Sequence, residues 1–248
     1  IAIGSGKGGV GKSTLTANIA AALSKSGLKV GILDADIYGP SQPKIMGVHG
    51  KPKIGGADGK SILPLHGYGI TLMSMGFLVD ADEAVVWRGP MLMGALQQFM
   101  GQVDWGELDV LLIDLPPGTG DVQLTLAQKC ELDGAIIVST PQDVALIDAK
   151  KAMQMFYKLK IPLLGMVENM STHVCPNCGY EEHMFGKGGV QAEAKKAQLD
   201  FLGAIPLDIE VRKSSDFGKP VVFSNFEGSQ SEAFKQIANK LADKLNIS

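Results

Sequence analysis

Gly6-Lys7-Gly8-Gly9-Val10-Gly11-Lys12-Ser13 fits the pattern G-x-x-x-x-G-K-[ST], and Thr14 follows it. Each residue type in that pattern has work to do around a polyphosphate. Glycines let backbone amides turn inward around the phosphates, and the start of a helix adds positive dipole. Lys12 has the reach for the β and γ phosphates, and the Ser13 hydroxyl is a ligand for Mg²⁺. The pattern follows the apolar IAIG and opens STLTANIAAALSKSG, the strand–loop–helix context that this chemistry needs. Gly4-Ser5-Gly6-Lys7-Gly8-Gly9 also matches the dinucleotide pattern G-x-G-x-x-G, with Asp34 where a ribose-binding acid would sit. That reading leaves Lys12 and Ser13 idle. The triphosphate reading uses both, and Leu111-Leu112-Ile113-Asp114 supplies the second carboxylate expected on the metal side. Asp34 and Asp36 end the strand after the loop; one is expected to hold Mg²⁺ through water, and Asp36 to orient the attacking water.

A second set of chemistry-bearing residues lies far downstream, in THVCPNCGYEEH at 172–183. Cys175 and Cys178 have the spacing of half a metal site, and His173 and His183 flank them. Four readings fit: a zinc knuckle closed by the two histidines, a thiol–disulfide pair, an inert turn, or two chains each giving two thiolates to one iron–sulfur cluster. The disulfide reading lacks the surrounding thioredoxin-like pattern. A symmetric dimer would place four cysteines around its two-fold axis.

These residues need a scaffold, and the pattern supplies one. Apolar runs at 1–4, 29–36, 70–75, 109–118, 134–140, 163–170 and 201–206 alternate with helix-period segments at 13–27, 122–132 and 143–159. Continuous apolar strands alternating with helices imply an α/β fold, a mostly parallel sheet flanked by helices on both faces. Ligands bind such sheets at the carboxyl ends of the strands, where the glycines and acids stand. Residues 37–69 break the pattern with Pro and Gly and are expected to form a long insertion; a cysteine loop is expected at about 171–189, and a single P-loop domain over 1–248. GKGGV recurs at 186–190 without a following Gly-Lys-Ser, so no phosphate site is assigned there. The tail SEAFKQIANKLADKLNIS puts Phe234, Ile237, Ala238, Leu241 and Leu245 on one face, expected to dock on the domain. Cys130 lies on or beside an apolar helix face, where packing is its expected role.

Bulk properties narrow the class. The 248 residues carry 20% charged and 45% hydrophobic residues, with a formal net charge of -3. No basic field recruits nucleic acid, no run is long enough to span a bilayer, and three cysteines make no disulfide framework. A cytoplasmic protein is expected, with no membrane and no nucleic acid among its partners. The chain starts without Met, directly on strand-like residues, so preceding residues are expected to be missing.

GKGGVGKST, with Lys7 early in the loop, resembles the deviant Walker A motif of the MinD, ParA and nitrogenase-iron-protein class of P-loop ATPases. DADIYGPS at 34–41, WRGPM at 87–91, LLIDLPPGTGD at 111–121 and VENMS at 167–171 resemble the Mrp/ApbC group within it, from residue 1 to KSSDFGKPVV at 213–222. The resemblance implies an ATP-dependent carrier of a dimer-bridging [4Fe–4S] cluster held by Cys175 and Cys178 of each chain, with apo iron–sulfur proteins as recipients. It implies that Lys7 reaches the partner's nucleotide in a homodimer and that Gly6 to Thr14 bind the phosphates. Ser13 and Asp114 would serve Mg²⁺, Asp36 would belong to switch I, and 114–121 would form switch II. Asn169 and the segment around Pro206 would contact adenine. The alternative is a MinD/ParA-like positioning ATPase whose CPNC is a structural zinc knuckle.

Overall fold

The computed structural model describes residues 1–56, 59–78 and 89–247. An eight-stranded sheet forms its centre. In chain order the strands are β1 (Ala2–Gly4), β2 (Val30–Asp34), β5 (Leu65–Gly67), β6 (Ile70–Ser74), β7 (Val110–Asp114), β8 (Ala135–Ser139), β9 (Leu163–Asn169) and β12 (Phe201–Ile205). Their order across the sheet is β12-β9-β8-β1-β7-β2-β6-β5. All neighbours are parallel except the edge hairpin of β5 and β6. Every residue of β1, β2, β6 and β8 is buried, which is the signature of strands covered on both faces and the reason they read as unbroken apolar runs.

The coverings are α1 (Lys12–Lys25), α8 (Val221–Ser224) and α9 (Ser229–Leu245) on one face, and α5 (Asp143–Lys158) with α6 (Gly189–Lys196) on the other; α3 (Gly89–Gly101) and α4 (Asp121–Lys129) pack on each other. The tail helix α9 docks as expected: Phe234, Ile237, Ala238 and Leu241 are buried against α1 and β12. Cys130 is buried at the end of α4, as expected of a packing thiol. No described helix is long and apolar enough to cross a membrane.

The insertion at 37–69 carries more structure than its composition suggested. It contains the one-turn helix α2 (Gln42–Ile45), the small hairpin of β3 (Lys53–Gly55) and β4 (Ser61–Leu63), and the edge strand β5. Elements of three or four residues are too short to show a period, so the sequence reads as loop. Residues 57 and 58 of that insertion, and Trp87 and Arg88 of WRGPM, lie outside the described residues. Helices α3 and α7 (Ile209–Asp216) were also not foreseen.

Candidate functional site: a loop at the sheet's centre and a cysteine hairpin

β1 lies in the middle of the sheet, between β7 and β8, and its carboxyl end runs into the glycine-rich loop. That loop is shaped by contacts that only glycine permits. Gly11 caps α1 with φ 82° and ψ 21°, and a Cβ there would stand 2.1 Å from Asn169 Nδ2. A Cβ on Gly6 would stand 2.0 Å from the carbonyl of Asp148 in α5. Left-handed backbone and the missing side chains let the loop press against its neighbours. The N-terminus of α1 has no side-chain cap and no acid in its first turn, so its free amides and dipole face outward for an anion.

Two connected cavities open here. One, of about 250 Å³, is lined by Ser5, Lys7 to Thr14, Asp36, Ser41, Ile45 and Pro117. The other, of about 510 Å³, shares Gly11, Thr14, Ser41 and Ile45, and extends past Asn169, Met170 and Pro206 to the α7 residues Arg212 and Ser215. The first has loop glycines and lysines, and the second has a largely apolar wall. The sequence-expected residues are thus gathered: Lys7, Gly8, Gly9, Val10, Gly11, Lys12, Ser13, Thr14 and Asp36 around the smaller cavity, Asn169 and Pro206 on the larger. Lys7 is exposed at the rim. Gly6 lies behind the loop, against Asp148.

Beneath the loop is a buried ionic cluster. Lys12 Nζ lies 2.5 Å from Asp114 Oδ1 and 3.4 Å from Ser13 Oγ. Thr16 Oγ1 lies 3.0 Å from the Lys12 carbonyl and 3.3 Å from Asp114 Oδ1, its hydroxyl shared between them, and Gln42 Nε2 donates to Asp114 Oδ2 and to the Ser13 carbonyl, both at 2.9 Å. Asp34, the register partner of Asp114 on β2, lines neither cavity; its carboxylate accepts from Ser74 Oγ at 2.9 Å and from the backbone of Gln42 at 3.0 Å and of Asp36 at 3.2 Å. So of the two acids after β2, only Asp36 lines the smaller cavity, held by a hydrogen bond from Gly39 N at 3.2 Å. Ser41 Oγ and Gln42 Oε1 are buried without a partner among the described residues. Unsatisfied hard oxygens beside Ser13 and Asp114 fit a divalent cation such as Mg²⁺. Gln42, Ser41 and Thr16 were missed by sequence reasoning; the signal was only that GPS is followed by Gln-Pro, which can start a helical turn.

Burial, and then the Asp114 charge, raise the Asp34 carboxyl to about 7. Burial likewise raises Asp36, against the pull of Lys12. A carboxyl whose pKa is higher folded than unfolded binds its proton more tightly in the fold. Its stabilising contribution is full below the ordinary carboxylate range and is lost as pH rises through about 7. The urea midpoint measured without nucleotide is therefore expected to fall between about pH 4 and about pH 7, and Asp34→Asn to flatten that dependence. An unchanged slope in the variant would assign the effect to another group.

Beyond Asn169, at the same carboxyl end of β9, the chain leaves the sheet as a hairpin of β10 (His173–Val174) and β11 (Glu181–Glu182). Its turn is Cys175–Gly179: Gly179 has φ 72°, Gly179 N donates to Cys175 O at 2.9 Å, and Cys175 N donates to Tyr180 O at 2.9 Å. Backbone amides of Cys178 and Asn177, then the Cys178 thiol, lower the Cys175 thiol below its ordinary value. A turn whose amides face a sulfur prepares it as a thiolate ligand. The zinc knuckle considered above is not assembled within one chain. Among the described residues no three His, Cys, Asp or Glu side chains gather as a metal set. His173 Nδ1 faces the Leu207 carbonyl instead, and His183 Nδ1 the Ser171 carbonyl. The second GKGGV word opens α6, but Glu168 already places a carboxylate on that helix terminus, accepting from Val190 N at 3.0 Å.

The comparisons agree with this geometry. The family model described as ParA, NUBPL iron-transfer P-loop NTPase, matches residues 1–242. A protein of Pseudomonas fragi named iron-sulfur cluster carrier protein is 50% identical over 240 residues, covering 96% of this chain and 83% of its own. The solved nucleotide-binding protein of Archaeoglobus fulgidus, in complex with ADP, superposes with a TM-score of 0.80 at 42% identity, covering 94% of this chain and 91% of its own. The septum site-determining protein MinD of Pyrococcus horikoshii, complexed with Mg-ADP, superposes with a TM-score of 0.73 at 24% identity, a likeness of fold.

Proposed function

We propose a function from one premise: this chain belongs to the NUBPL iron-transfer P-loop NTPases of the ParA type. It is an iron–sulfur cluster carrier. In the fuller reading it binds and hydrolyses ATP, and hands a [4Fe–4S] cluster to apo-proteins. The observation that carries the reading is the shared wall: the hairpin presenting Cys175 and Cys178 grows from residues that border the nucleotide-sized cavity.

ATP phosphates would lie in the smaller cavity, with the base and ribose in the larger one. Lys12 is then shared between two anions, Asp114 and the incoming phosphates. Thr16 and Gln42 hold the Asp114 carboxylate in place while the ammonium turns. Ser13 and Asp114 would hold Mg²⁺, which supplies charge neutralisation on the β and γ oxygens. Asp36, at the cavity edge, orients the attacking water, and its raised pKa suits it to accept a proton. Lys7, exposed at the rim, is free to reach a partner copy's phosphates, stabilising charge as an arginine finger does. Asn169 keeps its amide on the Val10 carbonyl at 2.8 Å, which turns its carbonyl oxygen toward an adenine amino group.

The cargo needs a second copy. A four-iron cluster commonly takes four cysteines, and one chain brings two. The exposed Val174, Tyr180 and Met184 around the thiols are apolar surface suited to a symmetric interface. Native mass spectrometry of anaerobically reconstituted protein is expected to give a dimer carrying one four-iron, four-sulfide unit. A monomer carrying one zinc would overturn the carrier reading and restore the positioning ATPase.

A further inference from the structure

The hairpin's two histidines are tied to the wall of the nucleotide cavity. His183 Nδ1 lies 3.1 Å from the Ser171 carbonyl and 3.3 Å from Thr172 Oγ1. His173 Nδ1 lies 3.2 Å from the Leu207 carbonyl. A carbonyl only accepts, so each Nδ1 carries its hydrogen and donates. Each imidazole therefore grips a backbone segment, His173 from β10 and His183 from the residue after β11.

The two gripped segments are laced to each other. Ser171 N and Oγ both donate to the Ile205 carbonyl, at 3.0 and 3.1 Å, and Leu207 N donates to the Thr172 carbonyl at 2.8 Å. The same segments supply Asn169, Met170, Pro206, Leu207 and Asp208 to the larger cavity, and Asn169 continues the path to the loop through the Val10 carbonyl. Met170 joins cavity wall to hairpin in a left-handed conformation, φ 56°, which a residue with a side chain adopts only when its surroundings hold it there. Beyond the hairpin, the Glu168 carboxylate pins the start of α6, so the cysteine segment is anchored at both ends to β9.

We propose that His173 and His183 are positioning residues that couple occupancy of the nucleotide cavity to the geometry of the Cys175–Cys178 turn. A ligand that shifts the 169–171 or 205–207 backbone moves the carbonyls these imidazoles hold, and with them both strands under the thiols. The coupling runs through the hydrogen bonds of the two rings, one partner for His173 and two for His183. It rests on the nucleotide half of the proposed function and is independent of the cluster half.

The test uses the metal-free, reduced chain and ADP as the probe. Alkylation of Cys175 and Cys178 by iodoacetamide is followed by peptide mass spectrometry, which separates them from Cys130. Saturating ADP is expected to change the wild-type rate by at least about fivefold. His173→Ala/His183→Ala is expected to bind ADP with unchanged affinity and to alkylate at one rate with and without it. His183→Asn on the His173→Ala background, which returns an amide donor near the Nδ1 position, is expected to restore part of the response. Should the double variant not fold, His183→Ala alone carries the same comparison. An equal ADP response in wild type and variant overturns the proposal. So does a wild-type rate that ignores ADP while calorimetry shows ADP bound. If calorimetry shows no ADP binding to the wild type, the nucleotide reading itself fails.

Discussion

Lys12→Ala is expected to cut ATP turnover by at least about 10³-fold and, separately, to destabilise the protein in the absence of nucleotide by about 3 kcal/mol. The first effect follows from the proposed role at the phosphates: removing a preorganised cation leaves the developing charge on the γ-phosphoryl oxygens uncompensated. The second follows from the ion pair. Lys12 is 6% exposed and Asp114 0%, with 2.5 Å between them. Thr16 and Gln42 would still donate to Asp114, but neutral donors do not balance a buried charge. Asp34 alongside offers no relief, since it is itself a carboxyl raised by burial and by Asp114. The two effects separate in Lys12→Ala/Asp114→Asn. Neutralising the stranded carboxylate should return most of the stability while turnover stays lost. Hydrolysis assays and chemical denaturation on the three proteins check this. A Lys12→Ala protein that hydrolyses ATP at the wild-type rate would remove the phosphate assignment. A single variant as stable as wild type would mean that water or a proton reaches Asp114.

How far these residues could be read in advance depended on how locally each was specified. The central strands were visible because both of their faces are covered, so Val30–Asp34 and Ala135–Ser139 read as continuous apolar words. The loop was visible because strand, glycines, Lys12 and Ser13 are contiguous. Gln42 was not, because its function comes from reaching Ser13 and Asp114, residues 29 and 72 positions away. A glutamine in a Pro/Gly-rich stretch carries no local mark of that. The edge strand β5 and the β3–β4 hairpin, three residues each, are set by pairing partners and not by pattern. The surroundings of the histidines beside CPNC were hidden for the same reason: the His173 partner is the Leu207 carbonyl, 34 residues on and just past the end of β12.

Cys175→Ser and Cys178→Ser are each expected to take the cluster from one per pair of chains to none, while nucleotide affinity and the thermal midpoint stay within about 2 °C of wild type. Serine keeps the shape of the turn. The hydrogen bonds from Gly179 N to Cys175 O and from Cys175 N to Tyr180 O are backbone bonds and survive. What changes is the donor atom. Thiolate sulfur is a soft ligand, and the turn lowers the Cys175 thiol with the amides of Cys178 and Asn177, whereas a serine hydroxyl stays protonated and hard. Cys130 cannot substitute: it is buried under the end of α4, and burial pushes its thiol up. In a symmetric dimer each single substitution removes two of four ligands, which is why one change per chain suffices. Iron and sulfide analysis after anaerobic reconstitution reads the outcome, with Cys130→Ala as the control expected to bind a full complement. Wild-type iron in either serine variant would move the cargo away from the hairpin, and with it the reason this nucleotide site and these thiols share a wall.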